Sequence, residues 1–412
     1  MPLRPTQLCV VSLLAAGAVF AQAEMDYPGR QHYINPAVLP APFATPSAGN
    51  GPILVPRPEG ELPDVPAGFR VNVFAENLGG NNSPRRLAVA PNGDVFVADS
   101  GGDRVLALRD QDGDGVAETM AVFADRRQKL SRPFGLAFRG KWLYVANSTS
   151  VVRLPYQAGR LSASGKPKVL IKKIPGFGHW TRDILFSADG KKLFLAIGSE
   201  SNNSPEQPVR AAIHAYKPNG KKLGRYAWGL RNPAGLALNP TDGALWTVVN
   251  ERDGYGDDLV PDFFTEVKSG GFYGWPYYYI GTNRDPGVVR EPKEPAKSVI
   301  VPDVLLQSHS APLGCTFYTG SQFPAEYRND AFVAMHGSWN RSLRTGYKVV
   351  RVRFQHGKPV GGYEDFMTGF LTDPASRNVW GRPVDVAVAA DGALLVSDDG
   401  GHRIWRVSYV GK

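Results

Sequence analysis

Along most of this chain, apolar and polar positions alternate with a period of two, and the alternation breaks at glycine turns. One phrase recurs five times: a short alternating run, a turn at Gly and a second run. The copies are Arg86-LAVAPNGDVFVADS, Arg132-PFGLAFRGKWLYVANS, Arg182-DILFSADGKKLFLAIG, Arg231-NPAGLALNPTDGALWTVV and Arg382-PVDVAVAADGALLVSD. Runs flanking Asn92-Gly93, Asp189-Gly190, Asp242-Gly243 and Asp391-Gly392 read as β-hairpins, because glycine adopts the positive φ that such turns need. The first four copies start about 50 residues apart, which is room for one four-stranded blade. A gap of about 150 residues precedes the fifth copy, enough for one degenerate blade plus insertions. The stretch from Cys315 to Phe354 has the strand composition to fill it.

The pattern therefore predicts an all-β chain folded as a six-bladed β-propeller. An open sandwich would suit the strand content but not the repeat spacing. The first and last copies are the most alike, and GFRVNVFAENL, residues 68–78, is the strand expected to complete the last blade. Residues 68–412 make the propeller, and the Pro/Gly-rich stretch 24–67 reads as an extended N-terminal arm. Residues 1–23 carry an apolar run from Leu8 to Phe20 and a small-x-small site at Ala21-Gln22-Ala23, the pattern of a secretory signal peptide. The run is too short for a comfortable transmembrane helix. The expected location is periplasmic or secreted. Once the leader is removed, Cys315 is the one remaining thiol, expected to be buried.

The formal charge is +9. Basic residues are scattered without long runs, so an anionic small ligand or a membrane surface fits better than nucleic acid. An arginine stands 7 to 12 residues before the turn glycine of each copy, which aims several guanidinium groups at one rim of the ring. Convergent guanidinium groups repel unless an anion neutralises them, which points to a ligand with several carboxylates or phosphates. Three histidines stand out: His179 in PGFGHWTRDI, His309 in SHSAPLG and His336 in MHGSWNR. His179 sits in a Gly-rich loop at the expected channel mouth, where an imidazole can act as a base. Asp110, Asp112 and Asp114, with Glu118 following, match the first half of a calcium loop or an Asp/Gly-rich turn. The second acidic cluster runs from Glu251 through Asp253-Gly254 to Asp258 and suggests a hard cation. There is no Rossmann fingerprint, Walker motif, GxSxG or CxxCH, so a covalent c-type haem is not expected.

The blocks HWTRDILFSADGKKLFLAIGS, YAWGLRNPAGLALNP, ERDGYGDDL…GGFYGWP and AFVAMHGSWNRS…GYKVVRVRF give the chain a family resemblance. Over residues 68–409 it resembles the pyrroloquinoline-quinone (PQQ) dependent sugar and aldehyde dehydrogenases, the sorbosone dehydrogenase-like and soluble glucose dehydrogenase group. The resemblance implies a six-bladed propeller with the tricarboxylate PQQ and calcium over the channel. It implies His179 as general base and Arg231 as the group polarising the quinone oxygen, with Asn232 beside it. Arg86, Arg132, Arg341 and Arg382 are the further cofactor-binding candidates. Backbone carbonyls of Asp253 and Gly254 would hold calcium, although soluble glucose dehydrogenase has Gly-Pro there. Its cofactor-contacting Lys has Arg341 as the nearest counterpart, and its C-terminal cofactor arginines are matched only by Arg382. Electrons would pass from a sugar or aldehyde substrate to a separate acceptor, a cytochrome or quinone. Two other readings remain at this stage: a calcium-dependent propeller hydrolase of lactonase type, and a non-catalytic binding propeller.

Overall fold

The computed structural model describes residues 25–80, 83–290, 292 and 295–411. The leader expected over residues 1–23 lies outside the described residues. Among them, no helix is long and apolar enough to cross a membrane. Among the described residues six sheets form the ring, antiparallel except where Gly271–Phe272 adds a parallel strand to the third. Blade 1 comprises Leu87–Val89, Val95–Asp99, Arg104–Arg109 and Thr119–Ala124. Blade 2 runs from Pro133–Arg139 outward to Lys168–Ile171, and blade 3 from Ile184–Phe186 to Lys222–Trp228. Blade 4 runs from Asn232–Leu238 to Val304–Leu306. The stretch assigned to the gap forms blade 5, from Pro312–Phe317 to Tyr363–Met367. Blade 6 contains Pro383–Val388, Leu394–Asp398 and Arg403–Tyr409, and its fourth strand is Phe69–Ala75 from the other end of the chain. Each innermost strand touches the next, and that of blade 6 touches that of blade 1, so the ring is closed.

The hairpin turns form as the glycines require: Gly93 and Gly392 both have φ of +91°, and each donates its N–H back to the residue three before it. Second strands such as Val95–Asp99 and Leu193–Ile197 are buried along their whole length. Both their faces meet neighbouring blades, so the simple in–out alternation gives way to continuous burial. Full burial of a side chain such as Phe96 in these seams contributes about 2–3 kcal/mol.

The axis is closed by charge and by glycine. Arg86 reaches Asp385 Oδ1 at 2.6 Å and Asp183 Oδ2 at 3.1 Å, and donates to the Leu236 carbonyl at 3.0 Å. The two carboxylates also accept the Leu87 and Leu236 N–H groups, so blades 1, 3, 4 and 6 meet at one buried triad. Burial opposes the Arg86 charge, but Asp183 and Asp385 raise its pKa above the ordinary value. Burial pushes Asp183 up to about 6 despite Arg86. Inner strands pack so closely that a Cβ on Gly135 would lie 2.7 Å from the Arg182 carbonyl.

The arm lies on the propeller from residue 25 onward. Gln31–His32 adds a strand to blade 5, and Ile53–Leu54 pairs with Asn378–Val379. Cys315 is buried among the blade seams.

Candidate active site

The loop between blades 2 and 3 carries His179 to the mouth of the ring. Its backbone is pinned from two sides. The Arg182 guanidinium donates to the His179, Thr181 and Pro175 carbonyls, and His179 N donates to Ser199 O at 2.9 Å. The ring Nδ1 lies 2.9 Å from Ser199 O and 3.1 Å from Ser199 Oγ. A carbonyl can only accept, so Nδ1 bears the proton and Nε2 presents a lone pair. Burial, and then the Arg231 guanidinium, push the His179 pKa down to about 4, so the ring is neutral near pH 7. Gly198 lets this happen: a Cβ there would lie 2.7 Å from the His179 Cβ and collide with Asn232 Oδ1.

Arg231 is nearly fully buried and fixed. Its Nε donates to Asn202 O at 3.0 Å, and Nη2 reaches Asn202 Oδ1 at 2.9 Å and Asp253 Oδ2 at 3.1 Å. Asp253 Oδ1 faces His309 Nδ1 at 3.5 Å, while His309 Nε2 is 2.8 Å from the Gly256 carbonyl. Burial disfavours the His309 charge, but two acceptors around the ring raise its pKa. Asp253 is held below the usual carboxylate range by His309 and Arg231, against burial. Asn232 donates to Asn250 Oδ1 at 2.9 Å, and its own Oδ1 is buried without a partner.

On the blade 6 side, Arg382 Nη2 donates to His336 Nδ1 at 2.9 Å, and His336 Nε2 donates to Asp399 Oδ1 at 2.8 Å. Burial and Arg382 lower the His336 pKa to about 4. Asp399 also pairs with Arg85 at 2.5 Å, and it stays ionised because His336 and Arg85 outweigh its burial. Arg85 lies 5.5 Å from the Trp180 ring centre, and Arg132 stacks on the same ring at 3.9 Å. Neither Arg132 nor Arg382 has a carboxylate within ion-pair distance among the described residues. Desolvation lowers both their pKa values. Two guanidinium groups with no direct ion pair fit an anionic occupant, and the orphaned amide oxygen would accept from a donor on it.

The repeat arginines therefore divide. Arg132, Arg231 and Arg382 face the mouth. Arg86 is taken up by the axial triad, and Arg182 is a backbone pin. Arg341 donates to the Asp257 carbonyl and pairs with Asp258 at 2.7 Å. Arg85, Ser199, Asn202, Trp180 and Asp399 entered the site without being singled out by the repeat.

The acidic stretch 251–258 does not converge on a metal cage of carboxylates. Glu251 pairs with Arg252 at 2.5 Å, Asp253 with Arg231, and Asp258 with Arg341. What the loop offers a cation is backbone: the Asp253 carbonyl, accepting from Asn202 Nδ2 at 2.8 Å, and the Gly254 carbonyl beside it. Asp110, Asp112, Asp114 and Glu118 do converge, with ligand atoms within 4.8 Å of one another. Asp110 borders a depression shared with the Gly93 turn.

The chain matches the TrAA12-like family over residues 63–260 and 288–410. It is 29% identical over 367 residues to an uncharacterised protein of Borreliella burgdorferi, covering 84% of this chain and 90% of that one. It is 26% identical over 407 residues to the pyrroloquinoline quinone-dependent pyranose dehydrogenase of Coprinopsis cinerea, covering 84% of this chain. The chain spans about half of that protein, 54% of its length. Among solved structures, the calcium structure of Trichoderma reesei family AA12 superposes with a TM-score of 0.72 at 21% identity, covering 84% of this chain and 97% of that one. The holo PQQ domain of the Coprinopsis pyranose dehydrogenase gives 0.71 at 22% identity, covering 86% and 98%. At these identities the superpositions carry the fold.

Proposed function

The chain belongs to the TrAA12-like family within the PQQ-dependent sugar dehydrogenases, and we propose that it oxidises an aldose or a sugar aldehyde at the mouth of its ring. The observation that supports this most is the pairing of a neutral His179, with Nε2 left as the acceptor, with a mouth carrying guanidinium groups that make no direct ion pair. PQQ, held with calcium, would supply a two-electron acceptor for hydride. Its carboxylates would suit Arg132 and Arg382, while the orphaned Asn232 Oδ1 lies near His179, across Gly198. The Asp253 and Gly254 carbonyls would hold the cation. The Asp110 loop is at most a separate structural calcium site.

His179 Nε2 is placed to take the proton of the substrate hydroxyl, which for an aldehyde is that of its hydrate, and the bound quinone would be the acceptor for the hydride on the carbon bearing it. A lowered pKa keeps the base free of a proton across neutral pH. Arg231 is fixed by Asn202 and Asp253 before any substrate arrives. Its guanidinium is thus preorganised to stabilise negative charge on an oxygen set against it, with little reorganisation. Ser199 holds the imidazole tautomer, and Arg182 holds its backbone.

The chain is exported in this reading and hands electrons to a separate cytochrome or quinone. The experiment is reconstitution: purified apo-protein receives PQQ and calcium, and dye reduction is followed over a panel of aldoses and sugar aldehydes. Reduction that needs both additions supports the proposal. Failure of PQQ to bind would sink it, and lactone hydrolysis with metal alone would favour the hydrolase reading instead.

A further inference from the structure

Residues 43–51 of the arm belong to no blade, yet they run along two loops that carry the site. Against the blade 4 loop, Phe43 N donates to Tyr255 O at 2.8 Å, and Asp257 N donates to Thr45 Oγ1 at 2.7 Å. Gly256, at φ +108°, approaches so closely that a Cβ would lie 2.9 Å from the Thr45 carbonyl. Against the blade 5 loop, Asn50 N donates to Trp339 O at 2.7 Å, and Asn50 Nδ2 donates to Ser342 O at 2.8 Å. Asn340 ties the arm and both loops together. Its Nδ2 donates to Ala48 O at 2.6 Å, and its Oδ1 accepts the Gly254 N–H at 2.7 Å. The residue is only 5% exposed.

The Gly254 N–H and the Asp253 carbonyl belong to one planar peptide unit, so gripping the first sets the direction of the second. Asn202 Nδ2 grips the carbonyl edge of that unit at 2.8 Å. Asn340 grips the N–H edge. Without it, the unit would be held at its carbonyl edge alone, next to Gly254, whose φ of +94° only a glycine holds without strain.

We infer that Asn340 and the arm form a clasp that positions the Asp253–Gly254 peptide for the cation and the quinone. The arm is thus part of the cofactor site, not a wrapping on its outside. Asn340 is a positioning residue: it touches neither substrate nor cofactor and acts through the peptide it holds. The inference rests on the proposed function for the identity of the group bound, but not for the existence of the clasp.

The test uses the full chain as wild type, Asn340→Ala, Asn340→Asp and Thr45→Val. Amide hydrogen exchange of segments 43–51 and 253–258 is measured in the apo-protein. Calcium is then titrated at fixed PQQ, and PQQ at fixed calcium, by absorbance. Asn340→Ala should speed exchange at 253–258 and weaken calcium about tenfold, the scale of one buried hydrogen bond. The larger loss should be in affinity and the smaller in kcat at saturation. Asn340→Asp keeps an acceptor for Gly254 but sets an anionic oxygen against Ala48 O. It should therefore loosen 43–51 more than 253–258. If Asn340→Ala does not fold, Thr45→Val, which removes the acceptor of the Asp257 N–H, carries the same comparison. Unchanged exchange and unchanged affinity in Asn340→Ala would overturn the clasp. A wild type that binds neither PQQ nor calcium would overturn the proposed function, while the exchange comparison still decides the clasp.

Discussion

Arg86→Met puts the division of the arginines to the test. In the wild type the guanidinium makes ion pairs at 2.6 and 3.1 Å to two carboxylates that are almost completely buried. Removing it leaves Asp183 and Asp385 facing each other without a counter-charge. Breaking a buried pair in this way costs about 3–5 kcal/mol. The cost should depend on pH with a definite sign. Asp183 already has its folded pKa raised to about 6 from 3.8, with Arg86 present. A raised carboxyl favours the folded state while protonated, and that contribution is lost as pH rises through the folded pKa. Losing Arg86 raises both carboxyls further. The mutant's deficit should therefore be small near about pH 4 and reach the full 3–5 kcal/mol near about pH 8. Urea unfolding of wild type and mutant across this range measures it, and PQQ affinity is titrated alongside under conditions where the mutant is folded. A deficit independent of pH would refute the axial-triad argument. So would an intact stability with PQQ affinity lost, which would return Arg86 to the cofactor site.

Three further outcomes follow from the site. Arg132→Ala and Arg382→Ala should each weaken PQQ about 10- to 100-fold, the range of a charge-assisted hydrogen bond, and Arg132→Ala should leave the melting temperature nearly unchanged. Because the His179 pKa is held down to about 4, kcat/KM should stay level at neutral pH and fall only as pH drops through that value. A fall centred near the ordinary histidine value would show that the ring is not desolvated as described. Gly198→Ala, which drives a methyl between Asn232 and His179, should lower kcat/KM by about 100-fold, the scale of a 1 Å misplacement, with the fold retained by circular dichroism.

The ring was legible because each hairpin announces itself locally. Alternation and a turn glycine suffice, and blade closure by residues 68–78 followed from the likeness of the first and last copies. The direction of individual arginines was not. Arg85 and Arg86 are neighbours, and in extended backbone neighbours point to opposite sides. The repeat draws attention to Arg86, which turns into the axis, while Arg85 faces Asp399 and Trp180 at the mouth. Nothing local separates the two. Arg182 looks like its counterparts in the repeat, yet its donors go to three nearby carbonyls. The acidic run after Glu251 resembles a metal loop until its carboxylates are seen to meet Arg231, Arg252 and Arg341. Asn340 and Ala48 are nearly three hundred positions apart, so a contact between them has no local signature.

If His179 carries the proton transfer in a PQQ-loaded ring, His179→Ala separates cofactor binding from turnover. PQQ binding by absorbance titration and sugar-dependent dye reduction are measured on the same preparation, reconstituted with calcium. PQQ should bind with nearly wild-type affinity while turnover falls to background, because the base is gone while Arg132 and Arg382 remain. A mutant that binds PQQ and still turns over sugar at the wild-type rate would contradict it.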